Sequence, residues 1–234
     1  MFLADDGNYR ESRYFTSWSE ERVHKHVMED CYLPSCITAA TGGQKTAPIG
    51  VAIVQCRDAS VATETCEELF TPQSPHIWLG LNGADIISNG SGSHHQLRKL
   101  NTRVDLIRSA TSKGGGVYVY ANHQGCDGGR LYFDGCSLIS VNGNVVEQAS
   151  QFSLNDVEVI SANVDLDEVR SYRAALASRG QQSRSTFSVP LIETDYFLCT
   201  QETVVPTPAK EVFYHSPEEE IAFGPAAWLW DYLR

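Results

Sequence analysis

What the sequence lacks narrows the field first. No apolar run approaches the roughly 18–20 residues a bilayer span requires, so no membrane partner is expected. Positive charge is scarce: Lys and Arg total 18 against 29 Asp and Glu, a formal net charge of −11. That balance is a poor match for a phosphate backbone, so nucleic acid is not an expected partner either. The seven cysteines (Cys31, Cys36, Cys56, Cys66, Cys126, Cys136 and Cys199) form no C-x-x-C pair and no Cys/His zinc pattern, so no metal site is expected. No Gly-Lys-Ser/Thr follows the glycine-rich stretches, which excludes a Walker loop. Met1-Phe2-Leu3-Ala4-Asp5-Asp6 places no basic region before an apolar stretch and does not read as a secretion signal. An odd cysteine count without such a signal predicts a reducing, cytoplasmic setting and mostly inert thiols. In that setting the sequon Asn89-Gly90-Ser91 reads as chance.

The 234 residues are 42% hydrophobic and 20% charged, which fits a globular chain of one large domain. The segment to about Thr46 is polar and irregular. Strands are expected over Gly50–Val54, Val61–Thr65, Ala84–Ser88, Val117–Ala121, Glu158–Val164 and Tyr196–Cys199. Cys66–Phe70 reads as a turn or the first turn of a helix. Leu97, Leu100, Val104, Ile107 and Ala110 recur at steps of three and four and predict a helix. Ser93-His94-His95-Gln96 has the form of its capping box, and Gly114-Gly115-Gly116 ends it. Leu138–Val141 and Asn144–Glu147 flank Asn142-Gly143, a hairpin signal. Helices are also expected over Asp165–Ser178 and from Ser216-Pro217-Glu218-Glu219 onward. The mixture predicts sheets covered by helices.

Cys66 is the strongest candidate for chemistry. A thiol at a strand-to-helix corner is exposed to helix N–H dipoles, which favour the reactive thiolate. The plainer alternative is a buried structural cysteine, and Glu67 and Glu68 would oppose ionisation if close. Glu11, between Arg10 and Arg13, is either a solvated charge or an assistant to a base. Ser93, His94, His95, Arg98 and Lys99 follow Gly90-Ser91-Gly92 and could hold a carboxylate or phosphate at a helix start. Gly125-Cys126-Asp127-Gly128-Gly129-Arg130 is turn-like, and Trp228 with Trp230 reads as a docking face.

Longer segments carry more. Leu3-Ala4-Asp5-Asp6-Gly7-Asn8-Tyr9-Arg10-Glu11 and Cys66-Glu67-Glu68-Leu69-Phe70-Thr71-Pro72-Gln73-Ser74-Pro75-His76 resemble segments of the eukaryotic-type glutamine-dependent NAD(+) synthetases. So do Asn89 to His95 with Leu97-Arg98-Lys99, Asn101 to Leu106, Gly125 to Gly128, Gln151 to Leu154, Val169 to Arg173 and Tyr214 to Glu220. The resemblance implies an α+β, nitrilase-like α-β-β-α sandwich, truncated at its N-terminus. Residues 1–215 would be a partial glutaminase domain, and 216–234 a linker helix toward a synthetase domain that this chain does not contain. It implies L-glutamine as substrate and Cys66 as the nucleophile of a γ-glutamyl thioester. Glu11 matches the auxiliary glutamate, and Tyr9 and Ser93 the glutamine contacts. Lys99 stands where bacterial relatives carry an arginine, keeping the charge without the bidentate fork.

The family's base glutamate and oxyanion lysine fall before Met1. None of Lys25, Lys45, Lys99, Lys113 or Lys210 takes the lysine's place. The ATP-pyrophosphatase loop Ser-Gly-Gly-x-Asp-Ser is absent. The resemblance therefore assigns ATP, Mg²⁺ and deamido-NAD to the synthetase domain, and no cofactor to this chain. It makes the chain a fragment, inactive or nearly so alone, with the synthetase domain and further copies of itself as partners. The rivals are a truncated, non-catalytic paralogue that serves as an assembly partner, and a general nitrilase-like amidase, against which Ser93-His94-His95 argues.

Overall fold

The structure is a computed structural model and describes residues 28–200 and 202–234. The first elements, Glu29–Tyr32 (β1), Ser35–Ala40 (α1) and Thr46–Ile49 (β2), form a small antiparallel ribbon around one short helix. Polar composition pointed to an irregular segment here. Every β1 residue is exposed, so no alternating apolar face marked the strand. Ile53–Gln55 (β3) is shorter than the expected Gly50–Val54, because Gly50 and Val51 bend the chain. Ser60–Thr65 (β4) then runs into a 3₁₀ turn, Cys66–Phe70, followed by Pro75–Leu81 (α2) and Ile86–Ser91 (β5).

Lys99–Gly114 (α3) and Val117–Asn122 (β6) come next, then Gln124–Cys126 (β7), Tyr132–Asp134 (β8), Leu138–Val141 (β9) and Asn144–Gln148 (β10). The β9–β10 turn takes φ 49° at Asn142 and 91° at Gly143, the left-handed pair a type I′ hairpin demands. Leu166–Ala174 (α4), Ala177–Ser185 (α5), Leu191–Glu193 (β11) and Pro217–Leu233 (α6) complete the described chain.

Seven strands form one sheet in the order β10-β9-β6-β5-β4-β3-β11. Its centre, β4-β5-β6, is parallel, and β3, β9 and β10 run antiparallel to their inner neighbours. Helices α2 and α3 make the two parallel crossovers and cover one face. Leu79, Leu100, Val104 and Ile107 meet Ala62, Ile87, Tyr118 and Leu138 there. Truncating a fully buried side chain such as Ile107 to alanine costs roughly 2–5 kcal/mol. On the opposite face α4 places Val169 against Val117, Ile139 and Val146. The fold is thus the expected α+β class with a mixed central sheet.

Several expectations need correction. Glu158–Val164 is no strand. Ile160, Ala162 and Val164 do alternate inward, but they pack on the sheet's face and pair with no edge. Tyr196–Cys199 is a loop, tied down where the Asp58 carboxylate accepts the N–H groups of Leu198 and Cys199, both at 2.8 Å. Asp165–Ser178 divides into α4 and α5. The bend at Ala175-Leu176 lets Arg173 reach Asp85 at 3.0 Å while Arg179 donates to the Gly80 carbonyl at 2.6 Å.

Helix α6 begins as expected, with Pro217 first and Ser216 and Glu219 closing a reciprocal cap. Its Ala227 and Trp228 pack on Tyr132 and Phe152, whereas Trp230 is exposed. At Gly224 a Cβ would lie 3.2 Å from the His95 ring, so glycine permits the close approach of α6.

Candidate active site

The carboxyl ends of β4, β5 and β6 open at one edge of the sheet, the usual place for a site in parallel α/β architecture. Cys66 stands at the end of β4 with φ 49°. A β-carbon in the left-handed region costs about 1–2 kcal/mol and persists only where neighbours impose it. Two neighbours do. The Cys66 N–H donates to Asn89 Oδ1 at 2.9 Å. Thr65 and Glu68 close a capping box around the 3₁₀ turn, with the Thr65 N–H donating to Glu68 Oε2 at 2.5 Å. The Glu68 carboxylate turns back onto the Thr65 amide. Cys66 itself is half-buried.

Behind the elbow lies a polar row that sequence reasoning missed. Asn89 Nδ2 donates to Tyr118 Oη at 2.9 Å, and Tyr118 donates to Glu64 Oε1. Glu64, 1% exposed, also accepts the His76 N–H at 2.8 Å and faces His76 Nδ1 at 3.1 Å. Burial and the Glu64 carboxylate push the Tyr118 phenol far up, so it remains protonated. Glu64 and Asn89 stand at inward positions of their strands, in step with buried Ala62 and Ile87. Asn89, the first residue of the chance sequon, is 1% exposed and committed to Cys66 and Tyr118.

The Ser93–Lys99 segment forms the facing wall. It is not a helix start. Helix α3 begins at Lys99, after Arg98 in the left-handed region with φ 64°, and the Arg98 side chain does not cap it. The capping box expected at Ser93-His94-His95-Gln96 is therefore absent, and with it the helix-start anion cradle. Glu220 of α6 replaces the cap, accepting the Arg98 N–H at 2.8 Å and Arg98 Nη1 at 3.0 Å. Ser93 is bracketed by Asn122, whose Oδ1 accepts the Ser93 N–H at 2.8 Å. Ser93 Oγ is buried with no hydrogen-bond partner among the described residues.

Lys99 is half-buried, with Nζ 5.8 Å from the centre of the Phe70 ring. Burial and then Arg103 pull its pKa down, while Glu67, Asp134 and Cys66 pull it back. Lys99 and Cys66 thus share one electrostatic neighbourhood. His94 is held toward its neutral form by burial and by Lys99. Beneath this wall Arg103 and Asp134 form a fully buried ion pair at 2.8 Å, joined by His95 and Gln151. Tyr9 and Glu11 lie outside the described residues.

Among the described residues no group of three or more His, Cys, Asp and Glu side chains stands ready for a metal ion. No described helix is long and apolar enough to cross a membrane. A cavity of about 330 Å³ lies behind the elbow, lined by Leu69, His76, Tyr118, Lys113 and Arg179, and Cys66 is not part of it.

A cysteine at a left-handed elbow on a mixed sheet is an arrangement suited to thiol-dependent hydrolysis. Residues 2–174 match the family described as Carbon-nitrogen hydrolase, and the chain belongs to that family. More particularly, it is similar to the glutamine-dependent NAD(+) synthetase of Saccharomyces cerevisiae, 57% identical over 240 residues that cover 100% of this chain and 33% of that protein. The Oryza sativa subsp. indica protein of the same name is 56% identical, over 99% of this chain and 31% of its own length. A crystal structure of a glutamine-dependent NAD(+) synthetase from Cytophaga hutchinsonii matches with a TM-score of 0.53 at 26% identity, covering 68% of this chain and 23% of that one. The chain spans about a third of the length of the curated relatives it matches.

Proposed function

We propose that this chain is the glutaminase part of a glutamine-dependent NAD(+) synthetase. The observation that carries the reading is Cys66 at its left-handed elbow, within a chain similar along its whole length to enzymes of that name. The Cys66 thiolate attacks the side-chain carboxamide carbon of L-glutamine. The C–N bond breaks, the nitrogen takes a proton and leaves as ammonia, and a γ-glutamyl thioester remains. Water then attacks the thioester, releasing glutamate and returning the thiol. The orphaned Ser93 Oγ suits a polar substrate group, and the Lys99 ammonium suits the substrate's carboxylate. In this reading Tyr9 is a further glutamine contact and Glu11 the auxiliary glutamate, as the resemblance implies.

The ammonia serves an ATP-dependent amidation of deamido-NAD on a synthetase domain, which would hold ATP and Mg²⁺ in a cytoplasmic homo-oligomer. Residues 1–215 are the glutaminase domain and 216–234 the linker helix. The family's base glutamate and oxyanion lysine have no counterpart among these 234 residues, so the chain by itself should be inactive or nearly so.

Alkylation of the 234-residue chain with iodoacetamide tests the reading, with Cys66 followed by peptide mass spectrometry. L-Glutamine should slow modification of Cys66, and Ser93→Ala or Lys99→Ala should weaken that protection about tenfold. Absence of protection would refute the glutaminase reading and leave the assembly-partner alternative. Steady-state ammonia release that disappears in Cys66→Ser would refute the proposed inactivity.

A further inference from the structure

We propose that Asn89, Tyr118 and Glu64 act as one directional relay that positions Cys66, three positioning residues on three adjacent parallel strands. The inference rests on the reading of Cys66 as the nucleophile.

The direction follows from the ends. Glu64 is buried and its carboxylate can only accept, so Tyr118 must donate its hydroxyl proton to it. With that proton committed, Tyr118 Oη can only accept from Asn89, which requires the Asn89 amide nitrogen on that side. The amide oxygen is then forced toward Cys66, where it accepts the backbone N–H at 2.9 Å. An asparagine amide is nearly symmetric in shape, and its orientation is decided by its partners. Here the decision is made two residues away, by the carboxylate.

The far end is anchored as well. Glu64 takes the His76 N–H at 2.8 Å, at the start of α2, so the carboxylate cannot swing away from Tyr118. The cross-strand register puts Glu64 directly beside Asn89. The Asn89–Tyr118 and Tyr118–Glu64 links are buried, where a hydrogen bond is strong and a missing one is expensive. What the relay holds is a strained backbone: without an acceptor for its N–H, Cys66 has less reason to keep φ 49° and to present its sulfur at the strand ends.

Iodoacetamide alkylation of the 234-residue chain tests this without turnover, since it needs only the thiolate displacing iodide. The rate at Cys66 is divided by the rate at Cys126 of the same molecules. Asn89→Leu should lower the ratio about tenfold, and Tyr118→Phe, which removes one oxygen and never touches Cys66, about fivefold. The double variant should be no slower than Asn89→Leu alone, because the two act in series. Asn89→Asp keeps an acceptor for the Cys66 N–H but has no N–H to give Tyr118 Oη, so it should not recover the parent ratio. A Tyr118→Phe ratio equal to the parent's overturns the relay, and so do additive losses in the double variant. Where Asn89→Leu fails to fold, Tyr118→Phe and Glu64→Gln carry the test with the same expected direction. Loss of glutamine protection in the parent chain is a different result, and it counts against the nucleophile reading instead.

Discussion

Asp134→Asn should be among the most damaging single-atom changes available to this fold. Asp134 and Arg103 are both 0% exposed, and Arg103 Nη2 lies 2.8 Å from each carboxylate oxygen. His95 Nδ1 at 3.2 Å and Gln151 Nε2 at 2.9 Å also converge on the carboxylate. The guanidinium's other contacts carry no charge: its Nε has no partner among the described residues, Nη1 reaches the Gly135 carbonyl at 3.4 Å, and the Tyr120 hydroxyl lies beside it. Neutralising one side of such a pair strands the other charge and costs about 3–5 kcal/mol. In a chain of this length each kcal/mol moves the melting midpoint by about 2–4 °C, so a fall of roughly 6–20 °C is expected.

The pH dependence adds a second signature. Burial alone would raise the Asp134 pKa, but the hydrogen bonds from His95 and Gln151 and the Arg103 charge carry it below the usual carboxylate value. A carboxylate depressed in the folded state stabilises the fold above its unfolded pKa, and that contribution is lost as pH falls through the folded pKa. The parent chain should therefore weaken further on acidification below about pH 4, whereas the variant lacks that share of the slope. Urea denaturation followed by tryptophan fluorescence, at neutral pH and along the acid limb, measures both effects. Arg103→Leu with Asp134→Leu removes both charges and should be less damaging than Asp134→Asn alone. A loss below about 1 kcal/mol in Asp134→Asn, or an unchanged acid limb, would refute the reasoning.

Two further outcomes are expected. Gly224→Val places a branched side chain where even a Cβ sits 3.2 Å from the His95 ring, so α6 should loosen at a cost of about 1–3 kcal/mol. Limited proteolysis should then cut between Pro217 and Leu233 much faster, and an unchanged digestion pattern would contradict the close packing. Burial pushes the Cys136 thiol up to about 11. Alkylation of the native chain near about pH 8 should modify the exposed Cys31 and Cys36 and spare Cys136, and equal labelling would show the thiol is not shielded.

Periodicity made the centre of the fold legible. The 3.6 period placed Leu100, Val104 and Ile107 in the core, and Asn142-Gly143 located the β9–β10 turn. It failed where a pattern can be satisfied in more than one way. Residues 158–164 alternate like a strand, and alternation serves equally well when an extended segment lies across a sheet's face. Ser93–Gln96 has the letters of a capping box, but the hydrogen-bonding role passed to Glu220, more than a hundred residues away. No local pattern announces a cap supplied by another helix. At the site, strand-end reasoning points to Cys66 and the stretch after Gly90-Ser91-Gly92 to Ser93 and Lys99, while the family resemblance adds Tyr9 and the substrate-contacting roles. The polar row behind Cys66 stayed hidden because a lone Glu or Asn on a strand reads as solvent-facing until the covering helix is known.

The strand order also bears on how the chain reaches this structure. β4, β5 and β6 are consecutive in sequence and joined by their own covering helices, so the middle of the sheet closes through comparatively local contacts. The outer strand β11 must find β3 across a loop that separates Thr194 from Gln55 by 139 positions, and α6 reaches Arg98 across 122. Contacts of that separation carry the larger loop-closure entropy and form late. During synthesis the Cys66 elbow can therefore be in place while the wall held by Glu220 is still unsupported. Helix α6, the last of the described elements, is the one that ties this wall down.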